Sequence, residues 1–259
     1  MRAQNRLLDL LDPPDVTRVI DVGCGVGTLE LAFAKRSPRA EIIGVDRSGE
    51  DLAIARAALR RGKARRAYLA RADARELPLP SSSADAVVLM AVLHWLRPRE
   101  REALREISRV LKPGGQLVLG NMVRKSGLRQ FSVVADELFR TAAARLSPSL
   151  RPARIPSFTA QNWSTAGLIR LLREEGFAVE YTYEHLGRWT FPDGEAVLQL
   201  IDRTMGGFYA SGLVPKVWSA LRVSFVKTVN ARRGPEGVKI RTGSLYLRAR
   251  KVRPKKRPH

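Results

Sequence analysis

The first half of the chain alternates two patterns of hydrophobic and polar positions. Five short runs are almost continuously apolar and rich in β-branched residues: TRVIDVG, AEIIGVD, RAYLARAD, ADAVVLM and GQLVLGNM. Such runs are typical of strands buried on both faces. Between them, segments such as Glu50 to Arg61 and Arg99 to Leu111 carry apolar residues at helical spacing, and the KPGG at 112–115 should end the latter helix. The alternation predicts an α/β fold with a parallel sheet and right-handed crossovers.

The pattern changes after Met122, where proline- and serine-containing stretches separate longer elements. The predicted elements are a helix within 128–146, a helix at 164–175, an alternating edge strand at 177–191, helices at 194–205 and 215–230, and a last strand at 238–251. The predicted boundaries are a first half at 1–123, an insertion at 124–163, a second half at 164–251 with a helical insertion at about 192–234, and a basic tail at 252–259.

A glycine-rich stretch, VIDVGCGVGTLEL, follows the first predicted strand and opens a helix. Gly23, Gly25 and Gly27 should form a tight turn through which a ligand approaches the backbone and the helix N-terminus. Their spacing is G-x-G-x-G, not the G-x-G-x-x-G of dinucleotide-binding loops, and Asp21 lies at the strand end. A carboxylate there would serve a pyrophosphate poorly, whereas a ligand with an ammonium or sulfonium group would tolerate it. Turn formation alone is the alternative explanation of the glycines.

Two more acids follow the next two predicted strands. Asp46 ends the second strand, about 20 residues beyond the glycines, where an acid hydrogen-bonds a ribose diol. Asp73 follows the third strand, and Ala74 beside it leaves room for an adenine ring. Each acid alone could be a turn or capping residue. Together with Asp21 they mark the carboxyl ends of three strands, which is where doubly wound sheets bind ligands.

These motifs resemble those of the class I S-adenosylmethionine-dependent methyltransferases. The resemblance covers Thr17 to Met122 and includes VIDVGCGVGTLEL, IIGVDRS, ARADARELPLPSSSADAVVLMAVLHWL and LREISRVLKPGGQLVLGNM. It implies a Rossmann-like, doubly wound, mainly parallel seven-stranded sheet with an antiparallel last strand and helical lid insertions. It also implies S-adenosyl-L-methionine as cofactor, with these residues around it: Asp21, Gly23, Gly25 and Gly27 at the methionine part, Asp46 and Arg47 at the ribose, Asp73 and Ala74 at adenine, and Ala91 touching the methionine part through its backbone.

The substrate side is predicted from VLHWL, residues 92–96, which follows the fourth strand and faces the methyl group in this family. His94 and Trp95 are therefore the candidate catalytic residues. Similar triplets occur in relatives that methylate small carboxylic acids. A carboxylate is already ionised and needs only hydrogen-bond donors, whereas a hydroxyl acceptor needs a base, for which His94 is the best-placed titratable residue. The alternative is that both side chains simply pack against the helix beneath.

Only about a dozen residues, Arg2 to Asp12, could form a helix before the first strand, so a cover for the cofactor must come from elsewhere. The two insertions are long enough, and their aromatic residues are candidates for substrate specificity: Phe131, Phe139, Phe158, Trp163, Trp189, Phe208, Tyr209 and Trp218. For each of them singly, an ordinary core position is the better interpretation.

The formal net charge of +21 changes the range of partners to consider. Clustered Lys and Arg bind polyanions. Here the excess is mostly arginine and is scattered along predicted helices. This favours solvated helix faces and compositional bias as its explanation over binding of RNA, of an acidic carrier protein or of an anionic substrate. The tail RARKVRPKKRPH is the best candidate for a basic arm.

The remaining composition favours a folded protein of the cytoplasm. Hydrophobic residues make up 44% of 259 residues, and no apolar run approaches a membrane span or a signal peptide. The single cysteine, Cys24, excludes an intramolecular disulfide and a cysteine-based zinc site, and no metal ligands are predicted.

The leading hypothesis is therefore a methyltransferase for a small-molecule acceptor, with an acidic acceptor favoured and a carboxylate or hydroxyl oxygen as the methylated atom. RNA or protein methylation is the enzymatic alternative, supported only by the charge, because no N-P-P-Y-type tetrapeptide follows the fourth strand. A non-catalytic cofactor-binding module is the alternative from another class.

Overall fold

A computed structural model describes residues 3–11, 16–121, 131–152, 154–161 and 163–252. The strands of this part are β1 (Arg18–Val22), β2 (Glu41–Asp46), β3 (Ala67–Arg71), β4 (Ala84–Met90), β5 (Leu111–Asn121), β6 (Phe177–Phe191) and β7 (Val238–Lys251). The α-helices are α1 (Ala3–Asp9), α2 (Thr28–Arg36), α3 (Gly49–Arg61), α4 (Glu100–Val110), α5 (Phe131–Ala144), α6 (Thr165–Glu174), α7 (Gly194–Thr204), α8 (Gly206–Ala210) and α9 (Pro215–Asn230). Short 3-10 helices lie at Leu93–Leu96, Pro148–Leu150 and Phe158–Gln161.

The strands form one seven-stranded sheet in the order β3-β2-β1-β4-β5-β7-β6. β1 to β5 are parallel to one another, and β7 is antiparallel to β5. This confirms the predicted fold class, a doubly wound and mainly parallel sheet with an antiparallel last strand. The alternating run at 177–191 is the edge strand β6, as predicted. The proposed role of the insertions as a lid stays a prediction.

The centre of the sheet is covered on both faces, as its apolar runs predict. Val19 and Ile20 point to opposite faces of β1, and both are fully buried. Val19 belongs to a core cluster that includes Leu7 of α1 and Phe33 of α2. Because both faces are buried, the strands carry few polar side chains within the sheet, and an acid there, such as Asp21, calls for an explanation.

One local prediction differs from the structure. Helix α4 ends at Val110, before the KPGG sequence, and residues 112–115 belong to the start of β5. Ala84 of β4 pairs with Leu111 and Ala86 pairs with Gln116, so the intervening residues form an irregular, bulged entry to the strand. Gly114 adopts a φ of 81°, which suits glycine at such a bulge.

The described chain divides into two compact units. The sheet unit comprises residues 1–121, 165–184 and 245–259, and the helical unit comprises residues 122–164 and 185–244. His259 and most of the predicted basic tail lie outside the described residues.

The helical unit has its own aromatic core. Phe139 of α5 packs against Tyr209 of α8 and Phe225 of α9, with ring centroids 4.3 and 4.5 Å apart. Phe158 is also fully buried in this cluster. For Phe139, Phe158 and Tyr209, the structure therefore matches the simpler of the two sequence interpretations, an ordinary core position.

One buried acid connects three segments of the helical unit. Asp136 of α5 is 1% exposed and accepts four hydrogen bonds. The donors are the backbone N–H of Phe158 (2.9 Å) and Thr159 (3.0 Å), the hydroxyl of Ser157 (2.7 Å) and the hydroxyl of Tyr209 (2.6 Å). Burial raises the pKa of Tyr209, which keeps its hydroxyl a donor to this carboxyl group.

Candidate functional site

The glycine loop folds into left-handed turns between β1 and α2. Gly23, Gly25 and Gly27 have φ values of 75°, 53° and 78°. A Cβ at Gly23 would collide with the side chain of Val92, and one at Gly27 would lie 2.9 Å from Cβ of Ala55. Gly23 and Gly27 are therefore required both by backbone conformation and by close packing, while Gly25 is required by conformation alone.

Asp46, the last residue of β2, connects this loop to the next one. Its Oδ2 accepts from the backbone N–H of Gly25 at 2.9 Å, and its Oδ1 accepts from the N–H of Ser48 at 2.9 Å. Each carboxylate oxygen has a second acceptor site, so Asp46 can hold the loop and still accept from a ligand. Ser48 in turn caps α3 by accepting from the N–H of Asp51 at 3.1 Å.

Asp73 lies two residues beyond β3 and is paired with an arginine that sequence reasoning did not single out. Two nitrogens of the Arg75 guanidinium donate hydrogen bonds to its carboxylate, Nε to Oδ1 at 2.8 Å and Nη2 to Oδ2 at 2.6 Å. The Arg75 hydrogen bond lowers the pKa of Asp73 to about 2. A ligand that reaches Asp73 therefore meets an ionised carboxylate with a guanidinium beside it.

Ala91, immediately after β4, has an unusual backbone. Its φ is 56°, although it is not glycine, and its N–H donates to the carbonyl of Gly120 at 2.7 Å. An L-residue in this region stores roughly 1–2 kcal/mol of strain. Strained residues concentrate at functional sites. The strain at Ala91 supports its candidacy for a backbone contact with a ligand.

These residues surround one cleft of about 540 Å³ in the sheet unit. Its lining includes seven predicted site residues: Gly23, Asp46, Arg47, Asp73, Ala74, Ala91 and Trp95. Asp21, Gly25, Gly27 and His94 are not part of that lining. The volume lies within the range of small-molecule and cofactor sites. Acids at two strand ends, a glycine-rich loop and a small residue at 74 fit a cationic nucleoside cofactor.

Asp21 lies beneath the loop and is paired with a second acid, Glu30 of α2. Asp21 is 2% exposed and Glu30 is fully buried. Among the described residues, Oδ1 of Asp21 and both carboxyl oxygens of Glu30 have no partner within standard hydrogen-bond geometry. Burial, followed by the charge of Glu30, raises the pKa of Asp21, and burial raises the pKa of Glu30 from 4.5 to about 7. At neutral pH the two groups hold at least part of one proton between them.

The space for Glu30 depends on Gly44, which pairs with Asp21 across β1 and β2. A Cβ at Gly44 would collide with Oε1 of Glu30 and would lie 2.9 Å from Sγ of Cys24. Burial also raises the pKa of the Cys24 thiol, so this cysteine stays protonated and is not a nucleophile.

The two candidate catalytic residues occupy different environments. Trp95 is 49% exposed and lines the cleft, whereas His94 is 2% exposed and packs with its ring centroid 5.4 Å from that of Trp95. Both lie in the 3-10 helix after β4. The structure thus presents the indole to the cleft and places the imidazole behind it. The catalytic role of His94 stays a prediction.

Sequence reasoning missed several residues of the cleft and the layer beneath it. Arg75, Arg97 and Arg99 line the cleft, and each is paired with an acid: Arg97 with Glu100 at 3.9 Å and Arg99 with Glu102 at 2.6 Å. Nothing in their spacing distinguishes them from the other arginines. Glu30 did leave a signal, because it is a single acid on the apolar face of TLELAFA.

Two further features, a cluster of metal ligands and a long apolar helix, are absent from the part of the chain that the structure describes. No group of three or more His, Cys, Asp and Glu side chains there is arranged to hold a metal ion. No described helix combines the length and apolarity needed to cross a membrane.

The fold and the cleft together define a Rossmann-like protein with a cleft at the carboxyl ends of its parallel strands, which is where such folds bind ligands. Residues 20–119 match the family described as "Methyltransferase domain". Residues 20–119 therefore form a methyltransferase domain of the class I S-adenosylmethionine-dependent type, with S-adenosylmethionine as its cofactor, as the sequence motifs predicted.

The chain is similar in this region to several curated proteins. It is 37% identical over 121 residues to demethylmenaquinone methyltransferase of Thermus thermophilus, an alignment that covers 46% of this chain and 53% of that protein. It is 37% identical over 118 residues to trans-aconitate 2-methyltransferase of Azoarcus sp., covering 46% of this chain and 44% of that protein. The chain thus spans about half the length of the curated relatives it matches.

Solved structures share the fold over nearly the whole chain. The YcgJ protein of Bacillus subtilis superposes with a TM-score of 0.66 at 19% identity, covering 97% of this chain and 99% of that one. The [4+2]-cyclase SpnF superposes with a TM-score of 0.62 at 24% identity, covering 97% of this chain and 81% of that one. At these identities the likeness shows the fold alone.

Proposed function

We propose that this chain transfers a methyl group from S-adenosylmethionine to an oxygen of a small acidic molecule, in the cytoplasm. The observation that carries the proposal is the joint lining of one cleft. Asp46, Asp73 and Ala91 border it on the side predicted for the cofactor, and Trp95 and several arginines border the same space.

On the cofactor side of the cleft, negatively charged and uncharged groups would hold a cationic nucleoside. Asp46 accepts from two backbone N–H groups and has lone pairs left for a ribose diol. Gly23 borders the cleft and has no side chain, so main-chain atoms of the loop would face the ligand. When bound, S-adenosylmethionine supplies an electrophilic methyl group on a positively charged sulfur.

The acceptor side would favour an anion. Arg47, Arg75, Arg97 and Arg99 all line the cleft. A guanidinium has five N–H donors, so an arginine that already holds one carboxylate can still donate to another. These four arginines outnumber the two acids of the lining, Asp46 and Asp73, and an excess of positive charge in a cleft raises the local concentration of anions.

The position of His94 supports a carboxylate over a hydroxyl as the methylated group. A hydroxyl must lose a proton during transfer, and a general base must reach it within hydrogen-bond distance. His94 is buried and does not line the cleft. A carboxylate needs no base, and the chain would only have to align it and exclude water.

The two named relatives frame the choice of acceptor. One is named for trans-aconitate, an acid, and the other for demethylmenaquinone, a quinone. SpnF, which shares the fold, is named a cyclase, so catalysis of a reaction other than methyl transfer is a further alternative for this chain. RNA and protein acceptors have the net charge of +21 as their support.

The test is release of the demethylated cofactor across a panel of small polycarboxylic acids, phenols, naphthoquinones, acyl carrier proteins and RNA. We expect turnover with at least one carboxylic acid. Turnover confined to quinones, phenols or macromolecules would overturn the acidic acceptor. A melting temperature unchanged by millimolar S-adenosylmethionine would contradict the methyltransferase itself, because a ligand of the native state must stabilise it.

A variant of the buried histidine separates the two kinds of oxygen acceptor. His94→Gln should leave most activity on a carboxylate, because methyl transfer to an ionised carboxylate is a single displacement that needs no base. It should abolish activity on a hydroxyl acceptor if His94 is that base. Loss of activity on a carboxylate with activity kept on a hydroxyl acceptor would contradict the role of His94 as a base for hydroxyl acceptors. The cofactor affinity of the variant serves as the control for folding.

A further inference from the structure

A second cleft of about 470 Å³ lies in the sheet unit, away from the methyltransferase site. It is formed by the C-terminal half of α3, the turn after it and the first residues of β3. Its lining includes four cationic side chains and an aromatic ring: Arg56, Arg60, Lys63, Arg65 and Tyr68. We call it the basic groove.

The charge of the basic groove is not balanced by acids. Between Leu52 and Ala72 the sequence has seven Arg and Lys residues and no Asp or Glu. The other arginine-rich surfaces of the sheet unit are different, since Arg18, Arg75 and Arg99 each hold a carboxylate. The side chains of these four cations make no hydrogen bond or ion pair with any residue that the structure describes. Their potentials therefore add without local compensation.

An exposed aromatic ring lies among these cations. Tyr68 is 49% exposed although it belongs to β3, the edge strand of the sheet. A positively charged groove with an aromatic platform is the arrangement that binds single-stranded nucleic acid, because the cations follow the phosphates and the ring stacks on a base. We propose that the basic groove binds single-stranded nucleic acid, with Arg56, Arg60, Lys63 and Arg65 at the phosphates and Tyr68 at a base.

The groove and the methyltransferase cleft lie at opposite ends of β3. The groove uses Ala67 to Leu69 at the start of the strand, whereas the cleft uses residues 72–75 beyond its end, and no residue lines both. Five strand residues span about 16 Å. A strand in the groove is therefore a bound partner and not the methyl acceptor, and the proposal is independent of the acceptor proposed above.

Fluorescence anisotropy with a labelled single-stranded RNA of about 16 nucleotides, measured over a series of salt concentrations, tests the proposal. The groove variant combines Arg56→Gln, Arg60→Gln, Lys63→Gln and Arg65→Gln. The matched control removes four exposed cations of the helical unit instead, by Lys216→Gln, Lys227→Gln, Arg232→Gln and Arg233→Gln. Both variants lower the formal charge from +21 by four, to +17.

We expect the groove variant to bind RNA at least tenfold more weakly, and the control to bind like the parent chain. If each cation holds one phosphate, the slope of log K against log salt should fall by about 2.8, since a single-strand contact contributes about 0.7. Equal losses in the two variants would overturn the proposal, because binding would then follow net charge alone. Urea unfolding and the cofactor-induced rise in melting temperature confirm that both variants fold.

A second substitution separates nucleic acid from other polyanions. Tyr68→Ala removes the ring and leaves the charges, so RNA affinity should fall by about tenfold while the salt slope stays the same. Polyglutamate should compete poorly with RNA for the parent chain. Unchanged RNA binding by Tyr68→Ala, or competition by polyglutamate as strong as that by unlabelled RNA, would contradict a nucleic-acid site and favour an acidic protein partner.

Discussion

The sheet unit and the helical unit both bury carboxyl groups, but they surround them differently. Asp136 of the helical unit accepts four hydrogen bonds from two other segments, residues 157–159 and Tyr209 of α8. Asp21 and Glu30 of the sheet unit are equally buried, yet three of their four oxygens have no hydrogen-bond partner among the described residues. A fully bonded acid stabilises its surroundings, whereas an under-bonded one stores unfavourable free energy.

The contrast separates a structural acid from acids associated with a site. Asp21 lies in β1 two residues before Gly23, Glu30 lies in the helix that follows the glycine loop, and the strained backbone of Ala91 borders the cleft. Within the described chain, left-handed φ angles at residues other than glycine occur only in the sheet unit, at Lys63, Ser82 and Ala91. Of these three residues, only Ala91 borders the cleft where the cofactor is predicted to bind, and its strain there contrasts with the fully bonded Asp136 of the helical unit.

The largest expected effect tests the structural acid. Asp136→Ala should destabilise the protein by about 4 kcal/mol or more, because it leaves four donors without their acceptor in a buried position. Urea unfolding measures the loss. Tyr209→Phe, which removes one of the four donors, should have a much smaller effect, and equal effects of the two variants would show that the network is not centred on Asp136.

A second prediction concerns pH and the under-bonded pair. The pKa of Glu30 is about 7 in the folded chain against an ordinary 4.5, so between these values the folded state keeps a proton that the unfolded state releases. Stability supplied by this group should therefore fall as the pH rises through that range. Glu30→Gln should remove the part of the dependence that comes from Glu30, leaving that of Asp21, and should stabilise the protein near pH 8 by on the order of 3 kcal/mol.

Urea unfolding of parent and variant at about pH 5 and about pH 8 tests that prediction. The exposed Glu50→Gln on α3 is the control and should leave the pH profile unchanged. A Glu30→Gln protein that is no more stable than the parent near pH 8 would show that the pair is not a source of strain.

Asp46 lies between the two extremes, because it is bonded to two backbone N–H groups and still borders the cleft. Asp46→Ala should weaken S-adenosylmethionine binding more than tenfold, about 1.4 kcal/mol. Titration calorimetry measures the affinity, and Asp51→Ala, which removes a nearby acid outside the cleft, should bind normally. Equal affinity of Asp46→Ala and the parent would remove Asp46 from the site.

The smallest expected effect tests the strained backbone. Ala91→Gly should stabilise the protein by about 0.5 kcal/mol, because glycine adopts a φ of 56° without the strain of an L-residue. Ala86→Gly within β4 should do the reverse, since it loses packing and gains chain entropy in the unfolded state. Thermal unfolding compares them, and a destabilised Ala91→Gly protein would show that Ala91 is not strained.

The amino-acid sequence by itself determined the fold class, the methyltransferase domain at residues 20–119 and seven residues of the cleft. Strand ends can be located from apolar runs, and in a parallel sheet those ends meet at one edge, so Gly23, Asp46 and Asp73 could be placed together from their positions along the chain. Ala91 and Trp95, which follow β4, were predicted from the resemblance to the methyltransferase family.

Only the tertiary structure decided how each charged group is surrounded. Tyr209 reaches Asp136 across 73 residues, Glu30 lies beside Asp21 because Gly44 leaves the space, and Arg75 rather than solvent meets Asp73. The same holds for His94, which faces inward while its neighbour Trp95 faces the cleft. Burial and hydrogen bonding depend on distances in space, and local sequence patterns encode only which face of an element a residue occupies.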